Sequence, residues 1–309
     1  MARSRRQSIV SIEPLWLNHF NGVTGSGAMQ TVQDAPALRA AIRGWRGNGQ
    51  TVGFVPTMGN LHAGHQSLIR LARARADRVV ASVFVNPTQF GPNEDFERYP
   101  RTLVQDQAAL ADEDCDLLFA PGVATIYPYG AGHSVSLRVP QITEILEGAH
   151  RPGHFDGVAT VVCKLFNLVQ PDLAVFGQKD FQQLKVIERM VRDLSLPVKV
   201  IAAPTLRAED GLALSSRNQY LSAAERARAS VIHETLLTVS ELLHQGHPWQ
   251  ALEQVADARL RRAGFAPDYA VIRRAEDLAE PAQGQLEGLI VLIAARLGTT
   301  RLIDNLLVD

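Results

Sequence analysis

Phe54-Val55-Pro56-Thr57-Met58-Gly59-Asn60-Leu61-His62-Ala63-Gly64-His65 reads as the end of a buried strand, a turn shaped by Pro56 and Gly59, and a helix beginning near His62. In an open parallel sheet, ligands bind at the carboxyl ends of the strands. A helix N-terminus there offers free N–H groups and a positive dipole end, which suits phosphate. Gly64 lets a bulky ligand approach the backbone. His62 and His65 are three apart, so on a first helical turn both can face a phosphate chain. Their ring N–H groups can donate to oxygens that gain charge during transfer. Two other readings compete: histidines that merely cap the helix, and a metal site. The metal site lacks a third His or Cys at ligand spacing nearby.

On either side of this string, short and nearly continuous apolar runs occupy residues 51–56, 79–86, 116–121, 173–177 and 198–205, the pattern of buried parallel strands. Between them lie helical stretches. Residues 158–169 place Val158, Val161, Val162, Leu165, Leu168 and Val169 near one face, and Pro171 marks the stop. Another helix follows Asp180, with Leu184, Ile187 and Val191 in register. This alternation predicts an α/β fold with a Rossmann-like parallel sheet. After Thr205 the chain turns polar. Helical segments then follow at 223–246 and 249–263, with short strands at 268–272 and 288–296. The expected organisation is an N-terminal extension at 1–29, a nucleotide-binding domain at 30–205 and a smaller α+β lid domain at 206–309.

Composition bounds the partners. The chain has 309 residues, 46% hydrophobic and 20% charged, enough for two domains with sizeable cores. A formal net charge of -1 gives no global pull toward nucleic acid or anionic membrane. No apolar run approaches the roughly 20 residues needed to cross a bilayer. The two cysteines, Cys115 and Cys163, form neither a CxxC pair nor a disulfide framework, which fits a reducing cytoplasm. The extension carries Arg3, Arg5 and Arg6 without a following apolar segment, so it is read as flexible rather than as a signal peptide.

Three further strings carry candidate chemistry. Gly177-Gln178-Lys179-Asp180 also sits between an apolar run and a helix, so it opens on the same sheet edge. There Lys179 can neutralise a phosphate, Asp180 can accept from a ribose hydroxyl, and Gln183, one turn on, can reach a small ligand. Ser215, Ser216 and Arg217 make a mobile anion clamp at the start of the second domain, able to close over a nucleotide as a lid; an ordinary turn is the alternative. Asn86 and Gln89 end an apolar strand. They are suited to a hydroxylated small acid, with strand capping as the alternative. His150 and His154 flank Arg151 in a Gly-rich loop expected to line the site, while His19, His133, His233, His244 and His247 have no constellation around them and read as surface or structural.

Together the strings PTMGNLHAGH, FVNPTQFGPNEDFERYPRT, HRPGHFDGVATVV, FGQKDFQQ, LSSRNQYLS and AARLGTTRLIDN resemble the pantothenate synthetase family, within the HIGH-type nucleotidyltransferases. HxGH alone indicates only the superfamily; GQKDxQQ and SSRN at these separations are more specific. The resemblance implies ATP-dependent joining of pantoate and β-alanine through a pantoyl adenylate. It implies ATP contacts at Met58, Gly59, Asn60, Leu61, His62, Ala63, Gly64, His65, Gly177, Gln178, Lys179, Asp180, Leu206, Leu214, Ser215, Ser216 and Arg217. It further implies that Gln89 and Gln183 hold pantoate, that Gln89 also meets β-alanine, and that His62 is the proton donor. Asp106 matches a Mg2+-associated position, although Gln105 precedes it where some members carry a second acid. A homodimer is implied as well. Leu214 stands where Met is common. Two rivals stay open: a nucleotidyltransferase that keeps its nucleotidylated product, and a non-catalytic nucleotide-binding protein.

Overall fold

The computed structural model describes residues 29–92, 94 and 96–308. The expected extension lies outside the described residues except for Met29.

Six strands form one parallel sheet: β1 (Gln30–Val32), β2 (Val52–Thr57), β3 (Arg78–Val83), β4 (Leu117–Phe119), β5 (Leu173–Gly177) and β6 (Lys199–Ala203). Their order across the sheet is β1-β4-β3-β2-β5-β6. The residues of β2 from Val52 to Val55 are fully buried, because helices cover both faces of the sheet. His154–Val169 packs on one face with Phe54 and Phe166 edge to face, while Ala63–Arg73 covers the other through Ile69 and Ala72. Each large apolar side chain so buried contributes roughly 1.5–3 kcal/mol.

The strand order fixes where a ligand can sit. From β2 the chain steps outward through β3 to β4, then returns to place β5 on the other side of β2, with Gly53 opposite Leu173. The order therefore reverses between β2 and β5, and the crevice beyond their carboxyl ends is the topological switch point. The 54–65 and 177–180 strings lie there.

A second sheet is antiparallel and consists of β7 (Phe265–Arg274), β8 (Leu289–Leu297) and β9 (Thr300–Val308), in that order. One face packs against the helices Val231–His244 and Trp249–Arg262. The other shares the first domain's core through Ile290 and Leu292, joined by Leu278 of the β7–β8 connection. The small sheet is thus docked on the first domain.

The expected α/β class with a second, smaller α+β sheet unit is observed, with local differences. The apolar run at 79–86 stops pairing at Val83, because Asn86 opens a 3-10 turn at Pro87–Gln89 and Pro87 has no N–H for a ladder. The stretch 223–246 is two helices, Ala223–Arg226 and Val231–His244. Strands β1 and β9 and the helix Ala35–Gly47 are additions to the elements expected from the sequence. Among the described residues no helix is long and apolar enough to cross a membrane.

Candidate active site

The turn after β2 is held from inside the protein. Gly59 and Asn60 both adopt positive φ, 82° and 53°. The Thr57 hydroxyl donates to the Ser82 carbonyl and accepts from the Gly59 N–H. Asp106, 1% exposed, accepts from the Asn60 N–H at 3.2 Å, the Leu61 N–H at 2.8 Å and the Thr102 hydroxyl at 3.2 Å. A carboxylate satisfied by two backbone donors is a fixed anchor for the turn.

His62 is the N-cap of the helix Ala63–Arg73, its Nδ1 accepting the Gly64 N–H at 3.1 Å, while His65 Nδ1 accepts the His62 N–H at 3.4 Å. The capping alternative is therefore real, and it leaves the phosphate-facing reading open to both rings. Because each Nδ1 is an acceptor, the proton of each neutral ring sits on Nε2. Both rings line a cavity of about 260 Å³ at the sheet edge. Burial, then the neighbouring Lys179 ammonium, lowers the pKa of His62. Burial, then His62 and Lys179, lowers His65 to about 3. Both rings are thus neutral Nε2–H donors at pH 7.

The distant strings reach the same cavity. Gly177, Lys179, Asp180 and Gln183 line it from the end of β5 and the helix after it. Leu206, Leu214, Ser215, Ser216 and Arg217 line it from the segment following β6. Ser215 caps the 3-10 turn Ser216–Tyr220 by accepting the Arg217 N–H, so the turn alternative also describes this segment correctly. Met58, Asn60 and Gly64 complete the β2 side. Gly59, Leu61, Ala63 and Gln178 are not among the lining residues; they belong to the backbone that shapes the rim.

Gln89 lines the cavity, its amide nitrogen 3.1 Å from Met58 Sδ. Asn86 also borders it, but its polar atoms are already engaged. The amide donates to Gln89 Oε1 at 3.1 Å and to the Gly157 carbonyl at 3.2 Å, and Oδ1 accepts the Tyr127 hydroxyl at 2.7 Å. Asn86 is 1% exposed and holds the Gln89 amide in place from the cavity wall. Gln182 and Gln183 divide similarly. Gln182 is buried on Glu147 N and the Ile142 and Ile145 carbonyls, while Gln183 faces the cavity.

Asp106, the expected metal-associated position, is bonded to the turn after β2. It is absent from the cavity lining, and its oxygens are occupied by the turn. Among the described residues no group of three or more His, Cys, Asp or Glu could hold a metal ion. The donor set around Asp106 does not fit a bound metal.

Of the Gly-rich loop expected to line the site, Arg151 and His154 border the cavity and His150 does not. Arg151 is forked onto Glu94, at 2.8 and 2.6 Å, and donates to His154 Nε2 at 3.1 Å. Since Arg can only donate, His154 carries its proton on Nδ1 and gives it to the Gln89 carbonyl at 2.8 Å. Burial, then Arg151, lowers His154 to about 4. Their only signal in the sequence is two histidines about an arginine in a Gly-rich loop.

With this geometry in view, likeness to known proteins decides the lineage. The model of the pantoate-β-alanine ligase family matches residues 30–307. The chain belongs to the pantoate-β-alanine ligase family. A pantothenate synthetase of Ectopseudomonas mendocina is 57% identical over 282 residues, 91% of this chain and 99% of the relative. One from Stutzerimonas stutzeri is 58% identical over 282 residues, 91% and 98% of the two chains. Among solved structures, a pantothenate synthetase from Thermus thermophilus superposes with a TM-score of 0.84 at 49% identity, covering 91% of this chain and 99% of that one. A pantoate-β-alanine ligase from Francisella tularensis, solved with β-γ ATP and β-alanine, gives 0.76 at 35%, covering 91% and 98%. This family membership agrees with the resemblance read from the sequence.

Proposed function

We propose that the chain joins pantoate to β-alanine with ATP, giving pantothenate, AMP and pyrophosphate through a pantoyl adenylate. The observation that carries the reading is the convergence on one switch-point cavity of His62 and His65, Lys179, and Ser215, Ser216 and Arg217. Family membership supports it.

In the first step a pantoate carboxylate oxygen bonds to the α-phosphorus of ATP as the bond to the bridging oxygen breaks, and pyrophosphate leaves with that electron pair. The chain need supply no nucleophile. It holds two anions together and stabilises charge on the phosphoryl oxygens. The Nε2–H groups of His62 and His65, the Lys179 ammonium, the Ser215 and Ser216 hydroxyls and the Arg217 guanidinium are the donors. Met58, the rim backbone from Gly59 to His65, Gly177, Gln178, Asp180, Leu206 and Leu214 hold the nucleotide. Gln89, oriented by Asn86, and Gln183 hold pantoate. In the second step the free amine of β-alanine bonds to the activated carbonyl carbon, AMP leaves, and the amine gives up a proton.

Residues 206–309 act as the lid domain over residues 30–205. Because the small sheet is docked, closure falls to the Leu206–Tyr220 side of the cavity. Lid closure keeps water from the adenylate. Mg2+ enters this reading as part of the ATP substrate, without Asp106 as its ligand. The enzyme works as a cytoplasmic homodimer.

Product analysis tests the reading. With ATP, pantoate and β-alanine, AMP should form one for one with pantothenate. A retained nucleotidylated product would favour the nucleotidyltransferase reading, and ATP binding without any turnover would favour a non-catalytic one.

A further inference from the structure

The TTRLIDN string near the C-terminus has no part in the chemistry so far, yet it forms β9 and reaches the catalytic rim. Asn305 of β9 is 3% exposed. Its side-chain amide donates to two carbonyls of the first domain, Gln178 O at 3.0 Å and Lys179 O at 2.8 Å. These belong to the 3-10 turn Gln178–Asp180, which carries Lys179. The turn has no side-chain cap at Gly177, and the following helix has none at Asp180. Its fixed point thus comes from another sheet.

Asn305 is itself well held. Arg207 forks onto the neighbouring Asp304 at 2.6 and 3.0 Å and donates to the Asn305 carbonyl at 3.3 Å. In the ladder Asn305 lies opposite Leu292, a residue of the shared core. Lys179, by contrast, has no ion-pair partner among the described residues and lines the cavity at the end of a flexible stem. Where its ammonium can go is therefore set by where its backbone is pinned. The chemistry also selects the residue type. One nitrogen must donate two protons to two carbonyls, which an amide does and a carboxylate cannot.

We propose that Asn305 is a positioning residue for the adenylation step, fixing the Lys179 turn from β9. The inference rests on the phosphate role given to Lys179 above. Displacing a positioned group by about 1 Å can cost on the order of 100-fold.

The test uses the full chain and pantoate-dependent exchange of pyrophosphate with ATP. Rates are taken per folded molecule, with folding read by near-UV circular dichroism. Asn305→Ala should slow exchange roughly 10- to 100-fold while the pantoate KM stays near that of the parent. Asn305→Ser, which keeps one donor, should fall between and guards against a misfolded Ala variant. In a Lys179→Ala background, Asn305→Ala should add less than about twofold, because it acts through Lys179. Normal exchange in both Asn305 variants would overturn the proposal. So would a full, multiplicative loss in the Lys179→Ala background, or a loss matched entirely by the unfolded fraction. If Lys179→Ala alone exchanges normally, the role of Lys179 fails first, a result distinct from a normal Asn305→Ala beside a crippled Lys179→Ala.

Discussion

Gly59 and Asp106 meet so closely that a Cβ on Gly59 would stand 2.8 Å from Asp106 Oδ2. The same Cβ would lie 3.0 Å from Val83 Cγ1, and Gly59 has a φ of 82°. The left-handed backbone and the carboxylate anchor therefore each require glycine. Gly59→Ala should destabilise the chain by about 1–3 kcal/mol and reduce exchange activity further, since the turn aims His62. Urea denaturation alongside exchange measures both. A variant with the parent's midpoint and rate would remove the anchor from the account.

Asp106→Asn separates an anchor from a metal ligand. The amide keeps the shape but weakens the hydrogen bonds to Asn60 and Leu61, so stability should drop by about 1–3 kcal/mol. The Mg2+ concentration giving half-maximal exchange should not move beyond its dependence on MgATP. A marked rise in that concentration with unchanged stability would restore Asp106 as a ligand.

Tyr127 supports the Gln89 side of the cavity at one remove. Its hydroxyl donates to Asn86 Oδ1, and Asn86 holds Gln89. Burial raises the Tyr127 pKa, so the hydroxyl keeps its proton at neutral pH. Tyr127→Phe should raise the pantoate KM several-fold with little change for ATP, and cost about 0.5–1.5 kcal/mol of stability. An effect confined to ATP would contradict the chain of contacts.

The buried histidines give stability a pH signature. His65 titrates at about 3 and His154 at about 4 in the folded chain, against 6.5 when free of the fold. Between those values the unfolded chain binds more protons, so stability is present above 6.5 and is lost as the pH falls. The slope is up to about 1.4 kcal/mol per pH unit for each proton. Urea midpoints should fall for the parent as the pH is lowered from neutral through the free histidine range, and fall less steeply for His65→Gln. Identical slopes would mean that His65 is already charged in the fold or exposed to water.

His62→Ala and Lys179→Ala should each lower turnover by two to three orders of magnitude, about 3–4 kcal/mol of transition-state stabilisation. Gln183→Ala should chiefly weaken pantoate use. Steady-state kinetics on folded variants check all three, and near-parental turnover in the first two would remove both donors.

The strings at the strand ends were legible because a buried strand, a glycine turn and a helix start are each local patterns. What Asp106 and Asn86 do was not legible. A carboxylate or amide consumed by other groups of the protein looks the same in sequence as one facing a ligand. Strand β9 was obscured because Asp304 and Asn305 interrupt its apolar run, and they do so to meet Arg207 and the Lys179 turn rather than water. β1 spans only three residues, with one buried, too few for a period-2 pattern. Arg151 and His154 gain meaning only through Glu94 and the Gln89 carbonyl, partners 57 and 65 positions away.

Reversible formation of an acyl adenylate is what isotope exchange between labelled pyrophosphate and ATP reports, with no other step needed. The account predicts exchange that requires pantoate and proceeds without β-alanine. Exchange indifferent to pantoate, or absent until β-alanine is added, would contradict it.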